Sequence, residues 1–495
     1  MLGHDVGSSV RPASVRGRTL YGRSRIHYLY RPVVSSGPTS PFEGDLLLVT
    51  DRVRGDNIVC VVGLGYVGLT LSVGLALKGH RIIGVEKSEL TRTSLLTGHC
   101  PFFESGLEEH VAALVGDGRL SVTDSIPDGS GASVYIITVG TPTDSAGRVL
   151  LTSIVEVAKA LSSKLKTGDL VILRSTVTVG CTRQVVLPLL RDARVDFDLA
   201  FCPERTIEGR ALEELSSLPQ IVAGLTRRSR DRASSFFSRL APTITLADSL
   251  EAAEIAKLVN NTERDVMFGL ANEVALLCDS VGVPFSDVFR AATTRYSRSH
   301  LALPGLVGGP CLEKDAHILA RSTRELEFDP TIIMAARKVN EELPRLSLTR
   351  LQEGLRIRGI VPRLIAILGV AFKGDPETSD IRGTMARPII DTLKELFPGV
   401  PINGYDPLVS GADVSSLGVK PFDDLSKAVT GASLVIFQNN HAEFRGVNLL
   451  TLSRLMDNPS VIYDYWNMYD HPALSEGVTY SGLGNLSLLT RGSSA

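Results

Sequence analysis

The run IVCVVGLGYVGLTLSVGLAL, residues 58–77, decides the fold. It holds no charge over its whole length, and a hydropathy window would flag it as a membrane helix. Four glycines break that reading, three of them spaced as Gly63-x-Gly65-x-x-Gly68. The β-branched start, Ile58–Val62, suits a buried parallel strand, and the apolar stretch to about Lys78 suits a helix. A second strand, Arg81–Val85, follows and ends at Glu86. Each part has a task. Gly63 permits the tight turn, Gly65 lets backbone approach a pyrophosphate, and Gly68 lets helix and strand pack closely. The helix start, Tyr66 and Val67, offers free N–H groups to the phosphates. Glu86 is placed to accept from the adenosine ribose and to repel a 2′-phosphate, which favours NAD over NADP.

Working outward, further strands end in turns that should line one crevice. Val134–Val139 ends at Gly140-Thr141-Pro142-Thr143, Leu170–Leu173 at Arg174-Ser175-Thr176, and Phe197–Phe201 at Cys202-Pro203-Glu204. A helix capped by Asp248 or Ser249 continues toward Cys278 and puts Lys257 and Asn261 one turn apart on one face. Glu204 and Glu208 share that i, i+4 spacing beside a strand end, where carboxylates can serve acid–base chemistry. Some 245 residues after the glycine loop comes Gly308-Gly-Pro-Cys311-Leu-Glu-Lys314-Asp315. A thiol there can capture an aldehyde, and a second oxidation then gives a thioester that water cleaves.

The chain has 495 residues, enough for two or three domains, with 43% hydrophobic and 21% charged residues. A formal net charge of −2 gives no electrostatic reason to expect nucleic acid or an anionic membrane as partner. The six cysteines, at 60, 100, 181, 202, 278 and 311, show no C-x-x-C spacing. Reduced thiols in a cytoplasmic enzyme, with no metal site, is the expectation. Residues 1–42 carry six Arg, no Lys and one acidic residue. Residues 1–56 read as a disordered N-terminal extension, although a transit peptide has the same composition. A second, smaller α/β unit begins at Leu364–Gly369 and continues through a helix near 384–397 and the strands Pro401–Tyr405 and Ser433–Gln438. No G-x-G-x-x-G opens it, so no second dinucleotide is expected there.

These motifs resemble one family throughout. VGLGYVGL (62–69), VGTPTD (139–144), RSTVTVG (174–180), CPERTIEG (202–209), KLVNN (257–261), LPGLVGGPCLEKD (303–315), GVAFKGDPETSDIRGT (369–384) and YDP (405–407) occur in the order of the nucleotide-sugar 6-dehydrogenases. That resemblance implies an NAD-dependent, four-electron oxidation of a nucleotide-sugar 6-hydroxyl to a carboxylate. It implies Cys311 as nucleophile, Lys257 and Asn261 as stabilisers of the developing oxyanion, and Thr141, Glu208 and Asp315 as holders of the water. Glu204 would act as base in thioester hydrolysis, Lys314 would lie beside the thiol and the cofactor, and Thr141 and Thr176 would border the cofactor. Arg205, Arg298, Gly305, Gly309, Lys373 and Arg382 would meet the nucleotide-sugar. Arg205 resembles the N-acetylhexosamine branch, while the Lys314-Asp315 pair resembles the glucose and mannose branches. Trp466 stands where many relatives carry a basic residue.

The expected architecture is α/β, with two doubly wound Rossmann-like domains joined by a long central helix. Its bounds are 57–247 for NAD, 248–345 for the central helical domain with the cysteine, 346–480 for the nucleotide-sugar and 481–495 as a tail. A homodimer through the central helix, or a higher homo-oligomer, is expected.

Overall fold

In the computed structural model, residues 58–144, 148–322 and 328–490 are described. The expectation for residues 1–56 lies outside them. The first sheet contains β1 (Ile58–Val62), β2 (Arg81–Val85), β3 (Leu120–Thr123), β4 (Val134–Ile137), β5 (Leu170–Leu173), β6 (Asp198–Phe201), β7 (Gln220–Gly224) and β8 (Ile244–Leu246). Their order is β3-β2-β1-β4-β5-β6-β7-β8, parallel except for the β6–β7 pair. The second contains β9 (Ile365–Leu368), β10 (Ile402–Tyr405), β11 (Lys420–Pro421), β12 (Leu434–Phe437), β13 (Ser460–Asp464) and β14 (Val478–Gly482). It runs β11-β10-β9-β12-β13-β14, all parallel. Both sheets therefore repeat the 3-2-1-4-5-6 doubly wound order, and each opens a crevice where the order reverses.

Alternate residues explain why these strands read as continuous apolar runs. In β1, Val59 and Val61 enter one buried cluster and Cys60 and Val62 another. Ile365 and Ile367 of β9 likewise separate from Ala366 and Leu368. Each sheet is covered on both faces. The uncharged run 58–77 resolves into strand β1, the glycine turn and a 12-residue helix, Tyr66–Leu77. No helix among the described residues is long and apolar enough to cross a membrane.

A 32-residue helix, Leu250–Val281, stands between the sheets. Ser249 caps it, its side chain accepting from the Ala252 N–H at 3.0 Å, and Gly282 ends it in the left-handed region at φ 71°. Near its start, the buried Glu254 accepts from the Gly180 N–H (2.6 Å), the Thr182 N–H (2.9 Å) and the Thr182 hydroxyl (2.6 Å). That fastens the loop after β5 to the turn of helix just before Lys257. Further along, Asp265 is ion-paired to Arg337 at 2.8 Å and accepts from Asn340 at 2.8 Å. Both partners lie on the helix Thr331–Ile357. Arg337 also donates to the carbonyls of Leu312 (3.2 Å) and Val307 (3.3 Å), so the buried pair holds the cysteine loop in place.

Candidate active site

The glycine loop is built as its spacing requires. Gly63 has φ +97°. A Cβ on Gly68 would fall 1.8 Å from the Gly63 carbonyl oxygen, which only glycine tolerates. A Cβ on Gly65 would meet nothing within 4 Å, so open space lies where backbone must admit a pyrophosphate. Tyr66 and Val67 open the helix behind it. At the tip of β2 the Glu86 carboxylate accepts from Leu64 N–H and Ser88 N–H, each at 2.9 Å. The acid is thus tied to the loop it must work beside. Thr141 and Thr176 also meet, the Thr141 hydroxyl donating to the Thr176 carbonyl at 2.6 Å. These residues fit a dinucleotide with adenosine at Glu86 and phosphates at Gly65.

Across the cleft, Cys311 directly precedes the helix Leu312–Ser322. It keeps solvent access, unlike Cys60, Cys181, Cys202 and Cys278, which are buried. The surrounding protein pushes its thiol above the ordinary value, first by desolvation and then through Asp315; Lys257 and Lys314 pull it down, and Glu208 adds a smaller upward push. Lys314 lies against Asp315 at 2.9 Å, so much of its charge is spent there. The completely buried Asp315 also accepts from Asn261 Nδ2 at 2.7 Å. Lys257 is only 8% exposed. Among the described residues it has no hydrogen bond and no ion pair, and it lines an open cleft, which leaves its ammonium free for a ligand. The structure therefore brings Cys311, Lys257, Asn261, Lys314, Asp315 and Glu208 together.

Glu208 is drawn in from the second unit's side. Its Oε1 accepts from the Thr378 hydroxyl at 2.7 Å, and its carbonyl accepts from Lys373 Nζ. Desolvation, then Asp380, raises its carboxyl above the ordinary range. Lys373 is held down to about 8, chiefly by desolvation. Arg382 forks onto Asp380 through Nε (2.8 Å) and Nη2 (2.6 Å) and senses both Glu208 and Cys311.

Three comparisons fit this geometry. Models of the UDP-glucose/GDP-mannose dehydrogenase family match residues 57–240 (NAD binding domain), 251–342 (central domain) and 366–471 (UDP binding domain). The chain belongs to that family. It is an NAD-dependent nucleotide-sugar dehydrogenase, an oxidoreductase. It is 31% identical over 435 residues to a UDP-N-acetyl-D-mannosamine dehydrogenase of Pyrococcus horikoshii, covering 86% of this chain and 99% of that one. It is 29% identical over 425 residues to a UDP-N-acetyl-D-glucosamine 6-dehydrogenase of Pseudomonas aeruginosa, covering 84% and 98%. A solved UDP-glucose dehydrogenase of Pyrobaculum islandicum superposes with TM-score 0.77 at 26% identity, covering 88% and 99%.

In this family member the other expected residues have contacts of their own. Glu204 is buried, with Oε2 against Arg174 and Oε1 accepting from the N–H groups of Arg205 (2.7 Å) and Thr206 (2.8 Å). Burial alone would raise its carboxyl; the Arg174 charge and these hydrogen bonds outweigh that and hold it low. All four lone-pair positions are engaged, which suits a structural anchor of the 203–206 turn better than a base. Arg205 lines a cleft with Lys257, Asn260, Asn261 and Arg264, one guanidinium nitrogen donating to the Pro219 carbonyl. Arg298 is exposed and lies over the Tyr296 ring at 5.5 Å. Gly305 has its N–H and carbonyl both bonded to Asn272, at 2.9 and 3.0 Å, and a Cβ there would strike Trp466. Gly309, at φ +96°, donates to the Gly383 carbonyl at 2.7 Å. Trp466 itself donates to the Gln438 carbonyl at 2.9 Å.

Sequence reading missed Glu104. Its carboxylate accepts from the Tyr66 hydroxyl and from the N–H groups of Gly209 (2.7 Å) and Ala211 (2.7 Å). It thereby ties the first residue of the cofactor helix to the loop that carries Glu208. Nothing in Cys100-Pro-Phe-Phe-Glu104 signals that partner, because the loop lies 105 residues away.

Proposed function

We propose that the chain oxidises the 6-hydroxyl of a UDP-N-acetylhexosamine, UDP-N-acetylmannosamine or UDP-N-acetylglucosamine, to the acid through a covalent thioester on Cys311. One observation carries the mechanism: an accessible thiol lies within electrostatic reach of Lys257, a largely buried lysine that lines a cleft and has no hydrogen bond or ion pair among the described residues, with Asn261 and Asp315 joined beside it. Lys257 suits the oxygen of C6 as charge develops there, in the alcohol's oxidation and again in the tetrahedral adducts. Bound NAD supplies the hydride acceptor for each of the two oxidations, so two are consumed per sugar. Between them, Cys311 Sγ bonds to the aldehyde carbon and the carbonyl oxygen takes a proton; the resulting thiohemiacetal is oxidised to a thioester. Water then adds to the acyl carbon and expels Cys311 as thiol, with Glu208 or Asp315 taking the water's proton. Thr141 bonds to the cofactor-side turn at Thr176 and orders that wall of the site.

Arg205 supports the N-acetylated sugar. It shares the cleft of Lys257 and Asn261, and its Nε and Nη1 donate to nothing among the described residues. An acetamido carbonyl suits them. UDP-glucose is the second reading, favoured by the Lys314–Asp315 pair. NADH release from UDP-N-acetylmannosamine, UDP-N-acetylglucosamine, UDP-glucose and GDP-mannose decides between them, and two NADH per sugar are expected. Faster turnover of UDP-glucose would remove the N-acetyl assignment, and one NADH per sugar would remove the thioester.

Two copies pairing through the central helix in the cytoplasm complete the proposal. Ile255, Val259, Leu270, Leu277 and Val281 are exposed, and a helical period of about 100° per residue gathers them within an arc of about 80°. Lys257 and Asn261 fall on the opposite side, so pairing leaves the site open. Light scattering on wild type and Leu270→Glu/Leu277→Glu tests the dimer.

A further inference from the structure

Arg264 has no role in any of the readings above, yet it belongs to the same wall. It follows Asn261 by three residues and Lys257 by seven, so all three share one face of the helix Leu250–Val281. It lines the cleft with Arg205, Lys257 and Asn261. It is exposed, and among the described residues it makes no hydrogen bond and no ion pair. Its neighbours Asp265 and Glu263 do not answer it: Asp265 is buried and committed to Arg337, and Glu263 is exposed on the adjoining face. Lys373, on the loop after β9, is lowered first by desolvation, and the Arg264 charge is among the further causes, so the two cations lie within electrostatic reach of each other. Two neighbouring like charges repel each other, and an anion bound by both relieves that repulsion. Lys373 also senses Glu208, Glu104 and Glu214, but these carboxylates are engaged by Thr378, by Gly209 and Ala211, and by the Ile207 N–H.

The geometry points to Arg264 as a substrate-binding residue that, with Lys373, grips the diphosphate of the nucleotide-sugar. This rests on the nucleotide-sugar reading above. Position supports the diphosphate over the sugar. Lys257 and Asn261 stand at the reacting carbon, and Arg264 lies about 10 Å further along the axis than Lys257 at a rise of about 1.5 Å per residue. Lys373 itself lies within the segment that matches a UDP binding domain. An amide carbonyl would neutralise neither cation, whereas a diphosphate answers both, and a guanidinium fork suits it. The cofactor's own pyrophosphate belongs at Gly65, at the tip of β1.

Arg264→Gln should fold normally, since no hydrogen bond or ion pair among the described residues is lost. It should raise KM for the nucleotide-sugar by about 10- to 100-fold, the loss expected for one charged hydrogen-bonding group. The kcat should stay within about threefold, and KM for NAD should not move. Calorimetry with UDP and UMP reads the subsite without turnover: UDP should lose about the same factor, UMP much less, and Arg264→Lys should restore part of the UDP affinity. Unchanged UDP affinity in Arg264→Gln would overturn the inference, as would an equal loss for UDP and UMP. If wild type oxidises no nucleotide-sugar yet binds UDP through Arg264, the activity is wrong and the subsite stands.

Discussion

Asn261 Nδ2 donates to Asp315 Oδ2 at 2.7 Å, joining the central helix to the helix that begins beside Cys311. The bond sets the height of the thiol relative to Lys257, four residues before Asn261. It also fixes the amide: with Nδ2 turned to Asp315, Oδ1 is left for a donor in the cleft, such as a water or a sugar hydroxyl.

Asp315→Asn should therefore separate two properties that usually move together. Asp315 is the first charged group raising the Cys311 thiol. Removing its charge should lower the thiol's pKa and speed alkylation of Cys311 by iodoacetamide at pH 8. Turnover should fall at least about 100-fold, because an acid–base group is lost. Slower alkylation in this variant would contradict the electrostatic picture. Lys257→Met should move the two together, slowing alkylation and turnover alike.

Cys311→Ser should abolish acid formation, a hydroxyl being a far weaker nucleophile without a tuned base. Two NADH per sugar at normal rate from this variant would remove the covalent route. In wild type the raised thiol means that thiolate is scarce at neutral pH. Alkylation of Cys311 should keep rising through pH 9, the ordinary value, instead of levelling off below it.

Glu208 is raised by desolvation and by Asp380. A base must be unprotonated, so activity resting on Glu208 is lost as pH falls through a value above 4.5, its ordinary one. The acid limb of kcat/KM should lie above that value and shift in Glu208→Gln, with turnover reduced about 100-fold. A profile identical to wild type would exclude Glu208 from proton transfer.

Glu204→Gln should be read by stability before activity. The variant leaves Arg174, 1% exposed at its side chain, without its counter-charge. Breaking a buried pair on one side costs about 3–5 kcal/mol, visible as a lower urea midpoint. A variant as stable as wild type but unable to hydrolyse the thioester would restore the sequence expectation that Glu204 acts as a base.

Much of this was legible in the chain, for identifiable reasons. The glycine loop, β2 and Glu86 are a local unit of some 30 residues, and turn geometry and burial dictate its letters. Ser249 and the face of Lys257 and Asn261 follow from caps and helical period. The strands β3, β7, β8, β11, β13 and β14 escaped; β3, β8, β11 and β14 are sheet edges, partly exposed, and lack the continuous apolar run that marks a strand buried on both faces. The burial of the central helix was not legible. Val259 and Leu270, apolar residues on it, are exposed, at 42% and 55%. Composition gives apolar content, but only packing decides which side of a helix meets protein. The roles of Arg174, Glu104 and Arg337 rest on partners 30 to 107 residues away, which no local pattern encodes.

The straight run from Lys257 to Arg264 acts as a ruler. Its two marks are carried by one rigid rod, so the separation between the oxidised carbon and the charged linkage is fixed by backbone hydrogen bonds rather than by a loop. A molecule must span that gap to satisfy both ends at once. A free sugar reaches one mark and leaves the other bare, however well its ring matches the pocket.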